Sequence, residues 1–470
     1  MVKRAFIVTG LGYGDEGKGT TVHWLAAKHR AHTVIRTGGP QAYHRVMTQN
    51  GREHIHSQFG SGTLSGTATH LSKNMVIDPH GILTEGEALK YQHGIKEVFL
   101  MLTIHEDALV ITPFHAMANR LRELSRGSER YGSVGIGVGE TVLDAEAYPK
   151  EAIRARDLGH HGLREKLEVV RARKIRELEE ISGHIENWPE DAREKGRREI
   201  FYLNNPDTIQ WAVERFGVLA SRSAIVDADY VTQRILGSRG TVVFEQSQGI
   251  LLDRWHGFHP YTTKVRTIPE MALSILRESG YDGEVKSFGV LRAYFTRHGA
   301  GPFVTECPVL TKQFPDATNG NHSWQGPFRV GIFDAVQARY AIESAGGKEA
   351  IHGLVITCID RIAELPAWNI AKSYDASPKN DDLTFFSRTK KGITGIVVTR
   401  GTGNFQRERQ EKLTVLLYNC SARVSPYEIP SGGKLEDVIN LCSRVLKEEL
   451  NVPVVMASVG PTEKDKIEFT

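Results

Sequence analysis

The chain has 470 residues, 59 Lys and Arg against 56 Asp and Glu, and a formal net charge of +3, a near balance that offers no broad basic surface to nucleic acid or acidic membrane. Four scattered cysteines with no CxxC pair indicate neither a zinc site nor a disulfide framework, and they fit a reducing cytoplasm. The apolar run in MVKRAFIVTG is too short for a secretion signal and no stretch reaches membrane-spanning length, so a cytoplasmic protein with no membrane partner is expected.

Residues 5–9 (AFIVT) read as a buried strand, the next ten contain five glycines, and 20–30 have helical composition. Strand, glycine loop and helix in that order turn backbone N–H groups and a helix N-terminus toward one anion, usually phosphate. The spacing Gly12-x-x-x-x-Gly17-Lys18 matches the phosphate-loop pattern, but Gly19 stands where that pattern has Ser or Thr. Asp15 and Glu16 inside the loop would repel a polyphosphate. An acid is useful there only if it holds a metal ion or takes a proton from a substrate.

A second strand is expected at 32–37, followed by a turn over 38–45, where ligands bind at the carboxyl end of an open α/β sheet. A helix follows at 113–126, then a second glycine-dense loop at 132–140. Residues 150–200 place Leu and Ile at helical spacing among many charges, which predicts one or two long helices with a solvated face. The alternation resumes with a strand at 241–245, a polar loop to 264, a helix at 268–279 and a strand at 285–296. A helix over 329–347, strands at 353–360, 392–399 and 412–419, a helix at 435–450 and a strand at 452–458 complete the chain. Strands separated by helices predict a mostly parallel central sheet flanked by helices. The expected organisation is one large α/β catalytic domain, 1–470, with an inserted helical segment near 150–237.

GYGDEGKG (12–19) resembles the glycine loop of the adenylosuccinate synthetase family, and the later motifs FEQSQGILLD (244–253), HGFHPYTT (256–263), YFTRHGAGPF (294–303), RVGIFDAV (329–336), TCID (357–360) and VGP (459–461) occur in the same order. The resemblance implies that GTP, with Mg²⁺, phosphorylates the 6-oxygen of IMP, and that the amino group of aspartate then displaces the phosphate. It makes Asp15 the general base, with Lys18 and His44 as the other catalytic groups. Gly14, Glu16, Gly17, Gly19 and Thr20 would surround the donor phosphates, while Asp360, Gly460 and Pro461 would meet its base. Gln41, Ser133, Gln248 and Thr263 would contact the acceptor nucleotide. A basic residue from 150–156 of a homodimer partner, Lys150, Arg154 or Arg156, would join them. Asp15 and the carbonyl of Tyr43 would approach the metal.

The sequence departs from the family beside the donor base and on the acceptor side. Cys358 replaces the lysine that usually accompanies Asp360, Tyr43 replaces a glycine, and Val134 and Ile136 replace a threonine and an arginine. The loop that holds the amine substrate corresponds to Thr318, Asn319 and Gly320 running on to Arg329. It keeps one arginine, so Arg297 or Arg266 would have to compensate, or an amine with less negative charge would bind. Alternatives to an IMP enzyme are a 2-aminoadenylosuccinate synthetase acting on dGMP, or a purine-nucleotide sensor that has lost its chemistry.

Overall fold

RAFIVTG forms the strand Arg4–Gly10, buried along all but its first residue, as a strand covered by helices on both faces must be. The computed structural model describes residues 2–316, 324–376, 384–429 and 434–469. Arg4–Gly10 pairs in parallel with Thr241–Glu245 on one side and Glu284–Arg292 on the other. Beyond Thr241–Glu245 lie Thr33–Gly38, Ala68–Ile77, Leu102–His105 and Ala224–Val226; beyond Glu284–Arg292 lie Gly353–Thr357, Val454–Ser458 and Lys466–Glu468. All these pairings are parallel except the last, where Lys466–Glu468 runs against Val454–Ser458. The expected sheet is present.

Period-two alternation divides the core. Phe6 and Val8 face one layer with Val22, Trp24 and Leu25, whereas Ala5 and Ile7 face the opposite layer with Ile275 and Leu276. A second sheet joins Phe333–Asp334, Ala367–Ala376, Gly392–Ile396, Phe386–Thr389 and Cys420–Glu428. Among the described residues, no helix is long and apolar enough to cross a membrane.

Several elements differ from expectation. The segment 412–419, expected as a strand, lies in the helix Gly403–Tyr418, because Gln406, Gln410, Leu413, Thr414 and Leu417 share one buried helical face. The helix expected over 329–347 begins only at Ala335. Before it, Phe328–Gly331 pairs antiparallel with Phe295–His298, and the Asp334 carboxylate caps the helix by accepting from the Gln337 amide at 2.9 Å. The expected strand 285–296 is split into Glu284–Arg292 and Phe295–His298. The strand 353–360 stops at Thr357, where Cys358 turns to φ 60° and opens the short helix Ile359–Ile362.

The charged region forms the expected amphipathic helices with a solvated face, and its apolar stripe is buried. Leu163–Glu177, Glu190–Asn204 and Asp207–Arg222 bury Leu167, Val170, Leu203, Ile209 and Phe216 in a core shared with Ile82 and Leu121.

Candidate active site

The carboxyl ends of five neighbouring strands release the loops that form the site, beginning with residues 11–17 after the first strand. Gly14 and Gly17 adopt φ of 119° and 92°, open to glycine and strained for other residues. Gly17 is the N-cap of helix Lys18–Lys28 and no side chain caps it, so the first-turn amides remain for an anion.

Glu16 turns inward. Its Oε1 accepts from the amides of Gly12 (2.9 Å) and Gly14 (2.8 Å), and its Oε2 accepts from Lys18 Nζ at 2.7 Å. Lys18 also donates to the Gly14 carbonyl at 2.7 Å, with only 1% of its surface exposed. Lys18 therefore neutralises a buried acid, which could not remain charged without a partner. Lys18, expected as a catalytic cation, and Glu16, expected beside the donor phosphates, form an internal pair in this structure.

Gly19 has a steric reason. A Cβ at this position would stand 2.8 Å from the Cβ of His44 and 3.1 Å from the Arg45 carbonyl oxygen. The strand His44–Met47 thus packs directly on the first helical turn, leaving no room for the usual Ser or Thr. Thr20 is half-buried and donates its hydroxyl to the Gly17 carbonyl at 3.2 Å.

Asp15 lies at the edge of a cleft of about 700 Å³, within the range of nucleotide-sized ligand sites. Burial alone would raise its carboxyl, but His298, 3.3 Å away, together with Arg292 and Lys18, outweighs burial and holds it below the ordinary carboxylate range. His298 comes from YFTRHGAGPF, and its pairing with Asp15 was not legible in the sequence. Arg292 also donates to the Asp15 carbonyl.

His44 is buried and pairs through Nδ1 with Glu245, the last residue of its strand; Glu245 also accepts from the Ser61 amide at 2.9 Å. Burial pushes the imidazole down to about 4, against the pull of Glu245, while Nε2 is buried without a hydrogen-bond partner. Nearby charges, led by Arg36, hold the Glu245 carboxyl low despite its burial. A neutral imidazole with a fixed orientation results.

Gln248 adopts φ 43°, unusual for a residue with a side chain, and both polar atoms of its buried amide lack partners. It lines the cleft with Gln41, Tyr43, Ser133, Val134, Ile136, Thr263 and Arg297. Gln41 donates to Thr263 Oγ1 at 3.2 Å, and Ser133 donates to Asn119 Oδ1 at 2.8 Å. The Tyr43 side chain is 49% exposed. Lys174, which the sequence placed on a solvated face, reaches this wall and donates to Asp144 (2.6 Å), Glu177 (2.9 Å) and Glu140 (3.1 Å).

The remaining candidates lie apart from the cleft lining. Asp360 is half-buried, and burial raises its carboxyl. Pro461 is exposed, whereas the Gly460 carbonyl accepts from Lys466 at 3.4 Å. Lys466 comes from the last strand, donates to Ser458 Oγ at 2.6 Å and feels the charges of Asp360 and Cys358; burial lowers it to about 8. It supplies a cation near the position where Cys358 removed one.

Arg154 donates to the Asp107 carbonyl at 2.8 Å, Arg156 pairs with Asp107, and Lys150 is exposed. Arg329 is held by Glu306 (2.7 Å) and the Gly301 carbonyl (3.0 Å), and Arg266 by Asp253 (3.2 Å). Thr318, Asn319 and Gly320 lie outside the described residues.

An adenylosuccinate synthetase family model matches residues 7–402. The adenylosuccinate synthetase of Nitrosomonas europaea is 31% identical over 485 residues, covering 99% of this chain and 98% of the relative. That of Neisseria gonorrhoeae is 30% identical over 479 residues, covering 98% and 97%. The fully ligated adenylosuccinate synthetase of Plasmodium falciparum shares the fold, with a TM-score of 0.72 at 17% identity and 99% coverage of both chains. The succinoaminodeoxyadenylate synthetase PurZ of cyanophage S-2L, bound to dGMP and dATP as an energy donor, matches with a TM-score of 0.58 at 17% identity, covering 100% of this chain and 96% of its own. By sequence over nearly its full length, and by a fold that agrees, the chain belongs to the adenylosuccinate synthetase family of carbon–nitrogen ligases.

Proposed function

We propose that the enzyme uses GTP to phosphorylate the 6-oxo group of IMP or an IMP-like purine nucleotide, then joins an amine, aspartate by default, to C6. The observation that carries this reading is Asp15, held ionised at the edge of the cleft that also contains the unpartnered amide of Gln248. As base, Asp15 takes the ring N1 proton, so that the 6-oxygen can attack the γ-phosphorus and release the diphosphate. Attack of the amine at C6 then expels inorganic phosphate.

His44 supports both steps through its buried Nε2. The negative charge of a polyphosphate beside a neutral imidazole raises its pKa and makes it a proton donor to the oxygen that gathers charge. The residues present suit Mg²⁺, which binds through one or two carboxylates plus substrate phosphates. Asp15 supplies such a carboxylate, and the Tyr43 carbonyl is the expected neighbour. When bound, the ion neutralises phosphate charge.

A second reading has support in the acceptor wall, where Val134 and Ile136 line the cleft in place of hydrogen-bonding residues. It takes dGMP or another purine nucleotide, as the cyanophage relative takes dGMP. Retention of Asp15 favours the hypoxanthine acceptor, because the resemblance marks the dGMP enzymes by loss of that residue. Mixing the enzyme with Mg²⁺, GTP and aspartate and either IMP or dGMP, and recording the ultraviolet difference spectrum, decides between them. A change with dGMP alone overturns the IMP reading.

For the amine, Arg297 is the one of the two expected arginines that lines the cleft, and its buried Nη2 makes no hydrogen bond, whereas Arg266 is held by Asp253. Phosphate release with a panel of amino acids and amines tests aspartate as the default. We also read the protein as one catalytic domain with a helical insertion near 150–237, acting as a homodimer that exchanges a basic residue from 150–156. Hybrid dimers of an Asp15-null chain and a Lys150/Arg154/Arg156-neutralised chain should recover activity; dimers without recovery would remove the shared site.

A further inference from the structure

Behind the strand that carries His44 is a cluster which the proposed chemistry does not use. His54 and His56 lie on the strand Glu53–His56, which pairs antiparallel with His44–Met47 so that His56 stands opposite His44. Both imidazoles are buried, and both approach Glu85 of the helix Pro79–His93. His54 Nε2 is 3.7 Å and His56 Nδ1 3.8 Å from Glu85 Oε1. One ligand atom from each of the three residues lies within 4.8 Å of the others.

None of these imidazole nitrogens is satisfied. His54 Nε2 and both ring nitrogens of His56 are buried without hydrogen-bond partners. Such groups are costly unless something completes their bonding. The carboxylate, by contrast, is firmly aimed: its Oε1 accepts from the Ser57 and Phe59 amides at 3.1 Å each, and its Oε2 from the Gln58 amide at 2.7 Å. Backbone donors that orient a carboxylate ligand are a usual outer shell of a metal centre. A second observation points the same way. His93, half-buried at the end of the same helix, has its ring 5.3 Å from that of His54, and its Nε2 is also buried and unpartnered.

We propose that His54, His56 and Glu85 bind a divalent transition ion of the zinc class, with His93 beside it as a fourth donor and as the side of entry. Two imidazoles and a carboxylate suit Zn²⁺ or its neighbours, while Mg²⁺ prefers an all-oxygen shell. Ligand bonds of about 2.0–2.1 Å in a tetrahedron put donor atoms roughly 3.4 Å apart. The two histidine–carboxylate separations of 3.7 and 3.8 Å require closure by only a few tenths of an ångström, and all three donor atoms already lie within 4.8 Å of one another. The ion would fasten the hairpin to the helix and so fix the strand from which His44 projects.

The test is equilibrium dialysis of metal-stripped protein against Zn²⁺ with excess Mg²⁺, followed by Co²⁺ substitution. About one ion per chain, undisplaced by Mg²⁺, is expected, with the intense visible ligand-field absorption of four- or five-coordinate Co²⁺. His54→Leu should abolish both. No retained ion, displacement by Mg²⁺, or equal retention by folded His54→Leu would overturn the proposal. If that variant fails to fold, the parent's Co²⁺ spectrum decides: a weak octahedral spectrum also rejects the site.

Discussion

The two glycine-rich loops of the site are held in different ways. Residues 11–17 carry an internal clasp in addition to outside contacts: Glu16 ties two amides, Lys18 ties Glu16, and Gly19 lets His44 pack on the helix, while Arg292 and Thr357 donate to the Asp15 and Glu16 carbonyls. Residues 132–137 depend on neighbours. Arg120 donates to the Gly135 carbonyl at 2.9 Å, Asn119 accepts from Ser133 and from Gly137, and Gly135 approaches Trp324. A loop whose shape is set by internal contacts tolerates little change. One whose shape is set from outside can exchange its lining, as Val134 and Ile136 have done. The first loop is thereby constrained and the second is free to vary.

The largest expected effect breaks the constrained loop. Lys18→Ala leaves the Glu16 carboxylate buried and unpaired, and should cost roughly 3–5 kcal/mol of stability in chemical denaturation. Adding Glu16→Gln should return a substantial part of it. An unchanged midpoint in the single variant would show that Glu16 finds another partner. Asp15→Asn should next reduce kcat by ~10²-fold or more, about 2.7 kcal/mol of transition-state stabilisation, with nucleotide binding within a few-fold. Near-parental turnover would remove Asp15 as base.

The pH response of stability includes His44 among several histidines whose pKa burial lowers, His70 and His259 with it. The folded His44 pKa of about 4 lies below the ordinary 6.5, so the unfolded chain binds the proton more readily. This contribution is complete above pH 6.5 and is lost as pH falls toward 4, amounting to on the order of 2 kcal/mol between pH 7 and 5. Urea midpoints over that range should fall, and His44→Gln should flatten the fall; a parallel curve would assign the slope elsewhere.

The comparison is sharpened on the acceptor side by two smaller effects. Gln248→Ala removes an amide that has no partner inside the protein, so it should weaken acceptor binding by about tenfold, or 1.4 kcal/mol, without lowering stability. A loss of stability with unchanged affinity would make Gln248 structural. Val134→Thr should alter the acceptor KM by less than a few-fold, below about 1 kcal/mol. A large gain would mean that the missing hydroxyl alone limits the site.

Legibility in the sequence follows the same division. A short apolar run and the glycine spacing located the first strand and its loop, and the alternation of strands with helices located the sheet, because those residues answer to local geometry. The helix Gly403–Tyr418 was hidden by β-branched and aromatic residues in 412–419, although its buried face has helical spacing. Partnerships across a hundred residues or more left no local trace: His298 with Asp15, Glu245 with His44, and Lys466 beside Asp360. The motifs named the loops, but the carboxylate orientation of Glu16 emerged only from its contacts.

That orientation makes the glycine loop a gate for anions. Glu16 is an anion tethered to the amides of Gly12 and Gly14, and any incoming group that needs those donors must compete with a rival whose concentration is set by the chain itself. A small, weakly held anion such as sulfate or free phosphate loses that contest. A triphosphate, gripping the helix N-terminus as well, can afford to leave the two amides to Glu16 or displace it. In the resting loop those two amides are already occupied, and the uncapped helix N-terminus beside them is what stays open to an incoming anion.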